Sequence, residues 1–260
     1  MDLWGQSALL GLVQGLTEFL PVSSSGHLVL LQHFIGFKGN NLLFDLLVHL
    51  ATLLAVLIYF ARDIASLLKL RGEGERRLVL YILVATVVTA FIGFTFRRPL
   101  EALFYRPQMV VITLGLTGLI LFVGERFSHG EKPMTSFGFL GSAGVGLAQG
   151  MAIVPGISRS GTTVSAALLL GMERSHAGRF SFLIAIPAIF GAFLLEARGL
   201  KALPHEAIGP YLLGMGVAFV VGLGSIKLFL RAIVKRRLFW FSLYCWAVAA
   251  ISLILFLLGY

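Results

Sequence analysis

Long apolar runs separated by short polar turns fill the chain, at about residues 42–61, 78–96, 107–124, 180–195, 207–230 and 238–259. Several approach the roughly 20 residues that a helix rising about 1.5 Å per residue needs to cross the hydrocarbon of a bilayer. The apolar/polar alternation in segments of roughly 10 residues that marks a membrane β-barrel is absent. The pattern predicts an all-α polytopic membrane protein. Two further apolar stretches are interrupted. Residues 7–20 and 27–36 flank Pro21 to Gly26, and residues 139–154 and 162–171 flank Pro155 to Gly161. A helix of about 13 residues covers only about 20 Å. Each pair is therefore expected to form a re-entrant helical hairpin instead of a crossing.

The interruptions are imperfect copies of each other. One reads Gln-Gly-Leu-Thr-Glu-Phe-Leu-Pro-Val-Ser-Ser-Ser-Gly-His at 14–27, the other Gln-Gly-Met-Ala-Ile-Val-Pro-Gly-Ile-Ser-Arg-Ser-Gly-Thr at 149–162. Their Gln-Gly and Ser-Gly pairs match at an offset of 135 residues, with the proline slipped by one. Phe44 to Val48 resembles Phe180 to Ile184 at nearly the same offset, and Leu119 to Phe122 recurs as Leu253 to Phe256. A single membrane domain, 1–260, then divides into halves of about 1–125 and 136–260, joined by the polar stretch Glu125 to Thr135. Each half holds one re-entrant hairpin and three transmembrane helices. Three is an odd number of crossings, so the second repeat is expected to be inverted, with a site near the midplane where the two breaks meet.

Composition sharpens this picture. At 58% hydrophobic and 13% charged residues, with a mean hydropathy of +0.92, an ordinary soluble domain is excluded. The net charge of +9 sits in short loops between apolar segments, the topogenic pattern, so no nucleic acid is expected as a partner. With six crossings, 13 basic residues fall on one side and six (Lys38, Arg97, Arg98, Arg106, Arg198 and Lys201) on the other. The first side is then cytoplasmic. The N-terminal hairpin enters from the periplasmic or outer side of a bacterial inner (plasma) membrane, and the second hairpin from the cytoplasm. The start, Met1-Asp2-Leu3-Trp4, has no basic region or cleavage site, so no removable signal peptide is expected. Cys245 reads as a packing residue.

The breaks carry ionisable groups at membrane depth, Glu18 and His27 in one and Arg159 in the other. Such groups are costly in a bilayer and mark a site by default. In the second break, Ser158, Ser160 and Thr162 can cap a helix whose first free N–H groups attract anions. Gly161 allows close backbone approach, and Arg159 adds a planar fork suited to phosphate oxygens. In the first break, Ser23, Ser24, Ser25 and Gly26 form the turn. Ser24 and His27 are three residues apart at a helix start, a spacing that suits a hydroxyl nucleophile and a general base. Glu18 can hold a divalent cation or orient the imidazole. An anion cradle facing a hydroxyl, an imidazole and a carboxylate inside a membrane suits phosphoryl transfer on a lipid-borne phosphate.

These strings resemble the two signature motifs of the bacterial undecaprenyl pyrophosphate phosphatases, the bacitracin-resistance family. The second extends from Pro155 to Thr163, and the likeness covers the whole chain in length and layout. The resemblance implies release of the terminal phosphate of undecaprenyl pyrophosphate, giving the monophosphate carrier of cell-wall synthesis. It also implies a divalent cation, Mg²⁺ or Ca²⁺, with Glu18 as its ligand. Glu18, Ser24, His27 and Arg159 match the family's functional residues, with Ser158 and Thr163 in the second motif. At position 14 this chain has Gln where many members have Glu, so two carboxylates sharing a metal are not expected. The expected mechanism has Ser24 attacking and His27 taking its proton, with Gln14 and the hydroxyls of both breaks lining the substrate. The partners are the polyprenyl pyrophosphate lipid, bulk membrane lipid and, in the assembly allowed for, a homodimer. A polyprenyl-phosphate transporter or flippase is the rival, since broken inverted repeats suit carriers. A carrier, however, needs no base.

Other residues are expected to be structural. Asp45 and His49, one turn apart, pair within the bundle. Glu173, Arg174, His176 and Arg179 form a solvated loop, and Pro187 kinks its helix. Trp4, Trp240 and Trp246 take interfacial or lipid-facing positions. Gly115, Gly118, Gly214 and Gly216 permit close helix packing.

Overall fold

The computed structural model describes residues 1–96, 107–197 and 205–259, which are helical apart from turns and one isolated bridge between Lys132 and Met172. The order is α1 (Leu3–Thr17), α2 (Ser24–Ile35), α3 (Asn41–Tyr59), α4 (Ala61–Lys69), α5 (Glu73–Thr95) and α6 (Pro107–Phe127). After a short 3₁₀ turn at Met134–Ser136 come α7 (Phe139–Met151), α8 (Arg159–Leu169), α9 (Arg174–Ala197), α10 (His205–Val234) and α11 (Leu238–Leu257). Among the described residues six helices are long and apolar enough to cross a membrane: α3, α5, α6, α9, α10 and α11. They coincide with the six apolar runs. Helix α4, which has no buried residue, falls between the first two apolar runs, where no helix is predicted. Arg97, Arg98, Arg106, Arg198 and Lys201, five of the six cations assigned to the outer loops, lie outside the described residues.

Helices α1 and α7 end at Thr17 and Met151, three residues short of the predicted 20 and 154, and both restarts use one device. Ser23 caps α2 by accepting the Gly26 N–H at 3.3 Å, and Ser158 caps α8 by accepting the Gly161 N–H at 3.1 Å. In each loop the capping hydroxyl also lies 3.3 Å from the serine two residues on, Ser25 or Ser160. The loops differ in backbone strain. Gly156 supplies the left-handed residue of the second break at φ 89°, whereas the first uses Ser23 at φ 68°. A non-glycine residue held there stores strain of the kind that collects at functional sites.

Glycines set how these half-helices dock. Helix α1 lies along α10, and α7 lies along α5. A Cβ on Gly15 would meet the Ala218 carbonyl at 2.7 Å, and one on Gly146 the Ala85 carbonyl at 2.6 Å. Backbone-to-backbone contact of this kind holds membrane helices together where no hydrophobic drive separates lipid from protein. Of the four glycines expected at interfaces, Gly118 packs under Trp246 and Gly214 under Phe44, but Gly115 and Gly216 face open space. Gly115 instead offers its carbonyl to the Trp246 indole N–H at 3.0 Å.

The two ends of the bundle are distinct. At one, the Asn40 N–H donates to the Tyr211 hydroxyl at 2.7 Å. At the other, Glu125 accepts from Arg174 at 3.2 Å and from the Leu238 N–H at 3.1 Å, while Arg174 also reaches Ser128 at 2.8 Å. Arg174 is therefore a largely buried tie between α6, α9 and α11, not the solvated loop residue expected. Its neighbour Arg179 pairs with Asp63 of α4. Between the ends, Phe19 packs edge-on against Phe182, which meets Phe60 and Phe229, so an aromatic core lies directly beside the first break.

Candidate active site

The two breaks meet. Ser160 of α8 donates to the Leu20 carbonyl at 3.3 Å. Cβ atoms placed on Gly26 and Gly161 would meet Gly156 Cα at 2.9 Å and Pro21 Cβ at 3.1 Å. Helix α6 pins the second break from the side. Thr113 donates to the Pro155 carbonyl at 2.6 Å, and Thr117 donates to the Gly156 carbonyl at 2.8 Å while accepting the Ser158 N–H at 3.0 Å. This contact yields a first prediction. Gly26→Ala must push two backbones apart, and overpacking of this kind costs about 1–3 kcal/mol. The thermal unfolding midpoint is expected to drop together with activity; an unchanged midpoint would show that the breaks do not touch.

Glu18, the residue that ends α1, is the hub between them. Its carboxylate is 3% exposed and forms an ion pair with Arg159 across the junction. Its other oxygen accepts from Ser24 Oγ at 2.5 Å and from Gln14 Nε2 at 3.1 Å, and lies 3.4 Å from His49 Nε2. The structure thus joins Glu18, Ser24, Arg159 and Gln14 in one buried chain. His49, expected to be structural, lines it as well. Its Nδ1 faces the Asp45 carbonyl at 2.7 Å, while the Asp45 carboxylate accepts from Gln32 at 2.6 Å.

The expected hydrogen bond between Ser24 and His27 is not formed. Ser24 turns toward Glu18, and His27 is occupied at both nitrogens: Nδ1 lies 2.8 Å from the Ser23 carbonyl and Nε2 2.9 Å from the Tyr244 hydroxyl of α11. Spacing of three residues puts both side chains on one helical face, but the unusual backbone of Ser23 presents its own carbonyl to the imidazole first. Thr163 is also diverted. Its hydroxyl donates to the Arg159 carbonyl at 2.8 Å and lies 2.6 Å from Ser181 Oγ, so it braces α8 against α9. Among the described residues Thr162 Oγ1 and Gln14 Oε1 are buried with no hydrogen-bond partner, as are Ser7 Oγ, Gln149 Oε1 and Ser165 Oγ. Buried polar atoms left open in this way call for an explanation.

Three residues of this site escaped the sequence reading. Thr113 and Thr117 left a faint signal, two threonines one turn apart in an apolar run. Tyr244 left none beyond being the one tyrosine of α11.

Comparison with known proteins adds the family. The model of bacitracin resistance protein BacA matches residues 7–251. The chain belongs to the BacA family. Among its relatives, the undecaprenyl-diphosphatase of Carboxydothermus hydrogenoformans is 45% identical over 254 residues, 96% of each chain. That of Syntrophotalea carbinolica is 43% identical over 245 residues, 92% of this chain and 93% of the relative. Another from Halothermothrix orenii is 40% identical over 251 residues, 95% of both. The BacA match spans both breaks and so includes Glu18 and Arg159.

Proposed function

We infer that this chain is an undecaprenyl-diphosphatase, removing the terminal phosphate of undecaprenyl pyrophosphate to regenerate the monophosphate lipid carrier. The observation that carries the chemistry is the chain from Ser24 through Glu18 to Arg159, which links a hydroxyl, a carboxylate and a guanidinium across the two breaks. A transporter would need the cation but not a serine bonded to a carboxylate. The pyrophosphate lies at the start of α8, where Arg159 and the open Thr162 hydroxyl meet an anion. Ser158, Ser160 and Gly161 hold the turn in shape through the Ser158 cap and the contacts with Leu20 and Pro21.

Ser24 Oγ attacks the terminal phosphorus and its proton passes to Glu18. The bond from phosphorus to the bridging oxygen breaks, and the lipid monophosphate leaves with that oxygen. Arg159 holds the charge that spreads over the phosphoryl oxygens. Water then attacks the phosphoserine, giving its proton to His27, and Glu18 returns a proton to Ser24. Substrate also rearranges the base: once the pyrophosphate draws Arg159, one Glu18 oxygen is open to a cation while the other still faces the Ser24 hydroxyl and can take its proton.

Among the described residues no three His, Cys, Asp or Glu side chains form a metal cluster. A divalent cation nonetheless fits together with substrate. Glu18 and the unpartnered Gln14 Oε1 would hold it, with phosphate oxygens and water completing the shell, as Mg²⁺ prefers. Bound there, Mg²⁺ or Ca²⁺ supplies charge neutralisation on the pyrophosphate.

The re-entrant, inverted-repeat reading is supported by the packing. Swapping the halves maps the α1–α10 contact onto α7–α5, and Gly11, Gly15 and Ser23 onto Gly146, Gly150 and Ser158. The first hairpin then enters from the outer face of the inner membrane, placing the site toward that side. The test is phosphate release from undecaprenyl pyrophosphate by purified protein in detergent, with Mg²⁺ and with EDTA. Release that EDTA abolishes and Mg²⁺ or Ca²⁺ restores is the expected result. No release from folded protein would overturn the assignment; release unaffected by EDTA would remove the metal.

A further inference from the structure

We propose that Tyr244 is a positioning residue for this reaction: its hydroxyl fixes the ring and the tautomer of His27. This rests on the phosphatase reading above. The Ser23 carbonyl lies 2.8 Å from His27 Nδ1 and can only accept, so Nδ1 carries the proton. Nε2 is then a lone pair, and the Tyr244 O–H, 2.9 Å away, donates to it. The two rings are parallel within 5°, with centroids 5.6 Å apart. Each ring nitrogen thus meets a partner that selects one tautomer and makes Nε2 the basic position, which takes a proton from water once the Tyr244 O–H gives way.

The placement is built into the bundle. Three consecutive residues of α11 hold it against the site. Tyr244 meets His27, the Cys245 thiol faces the Pro21 carbonyl at 3.9 Å, and the Trp246 indole donates to Gly115 of α6 at 3.0 Å. Cys245 is fully buried and Gly118 accommodates the indole, so α11 cannot slide without losing all three contacts. Tyr244 itself stays 44% exposed, so its ring closes one side of His27 without being enclosed by the bundle. Without Tyr244 the His27 ring would keep only the Ser23 carbonyl, at Nδ1, to hold it in place.

Tyr244→Phe removes one oxygen and keeps the ring. The expected result is a fall in kcat of about 10- to 100-fold, the range for losing a residue that orients a base, with KM changed less than about twofold. In a His27→Ala background the same substitution is expected to cost nothing further, since Tyr244 acts through the imidazole. A second measurement needs no variant: ¹⁵N spectra of histidine-labelled wild type should show His27 protonated at Nδ1 with Nε2 as acceptor, and the Nε2 signal should move in Tyr244→Phe. An unchanged kcat, full additivity with His27→Ala, or a proton on Nε2 would each overturn the proposal. If wild type releases no phosphate, it is the phosphatase reading that fails, and the ¹⁵N result still reports on the Tyr244–His27 pair.

Discussion

Arg159→Ala is expected to lower kcat/KM about 1,000-fold, in line with the loss of an arginine or oxyanion donor that stabilises a phosphoryl transition state. Arg159→Lys keeps the charge but loses the planar fork and should recover only a small part of it. The substitution has a second consequence, because Arg159 is the counter-ion of a carboxylate that is only 3% exposed. Removing one partner of a buried pair costs about 3 kcal/mol, chiefly from the charge left behind. Arg159→Ala should therefore unfold at lower temperature than wild type. Adding Glu18→Gln should restore the midpoint without restoring turnover. Kinetics with a thermal melt on the two variants separate the roles: recovery of activity in the double variant would show that Arg159 serves only to neutralise Glu18.

Much of this architecture was readable because apolar spacing and chain breakers are local signals. The six runs delimit six helices, and Pro21 and Pro155 locate both breaks, since proline lacks the N–H that would continue the helix. The 135-residue offset aligns Ser23 with Ser158, and of the three caps the second break offered, the structure uses Ser158 and matches it with Ser23. Helix α4 was hidden because the apolar run of α3 continues into Ala61, and the charged residues after it read as a loop.

At the site, the residue types were legible but their pairing was not. Ser24 and His27 share a helical face, yet a left-handed φ at Ser23 spends the imidazole on a backbone carbonyl. Glu18 lies before the break and His49 on another helix, so their convergence depends on how α1 docks against its neighbours. That docking is set by glycine contacts with α10 rather than by anything within the motif. Tyr244 lies 217 residues from His27, beyond any local pattern. The offset that aligns the breaks also shows where they diverge. Ser24 corresponds to Arg159, Glu18 to Ile153 and His27 to Thr162. At that offset Ser24 and Arg159 each follow the capping serine of their own break, so a hydroxyl stands in one loop where a guanidinium stands in the other.

Ser24→Ala is expected to reduce kcat by about 1,000-fold or more and to abolish a phosphoenzyme that wild type forms, because covalent catalysis then has no acceptor oxygen. The decisive measurement is acid-quenched labelling with substrate carrying radioactive phosphorus at its terminal position. Wild type should trap label on protein, Ser24→Ala none, and Glu18→Gln very little, since the hydroxyl loses the carboxylate 2.5 Å away that takes its proton. His27→Ala should behave in the opposite way. Its imidazole does not touch Ser24, so serine attack survives while water activation does not, and the phosphoenzyme accumulates above the wild-type level. This ordering distinguishes the structure from the spacing-based mechanism, in which His27 deprotonates Ser24 and its loss would prevent labelling. Equal labelling of Ser24→Ala and wild type would remove serine as nucleophile altogether. Loss of label in His27→Ala would return the base to histidine and require its ring to leave the Ser23 carbonyl and reach Ser24 when substrate binds.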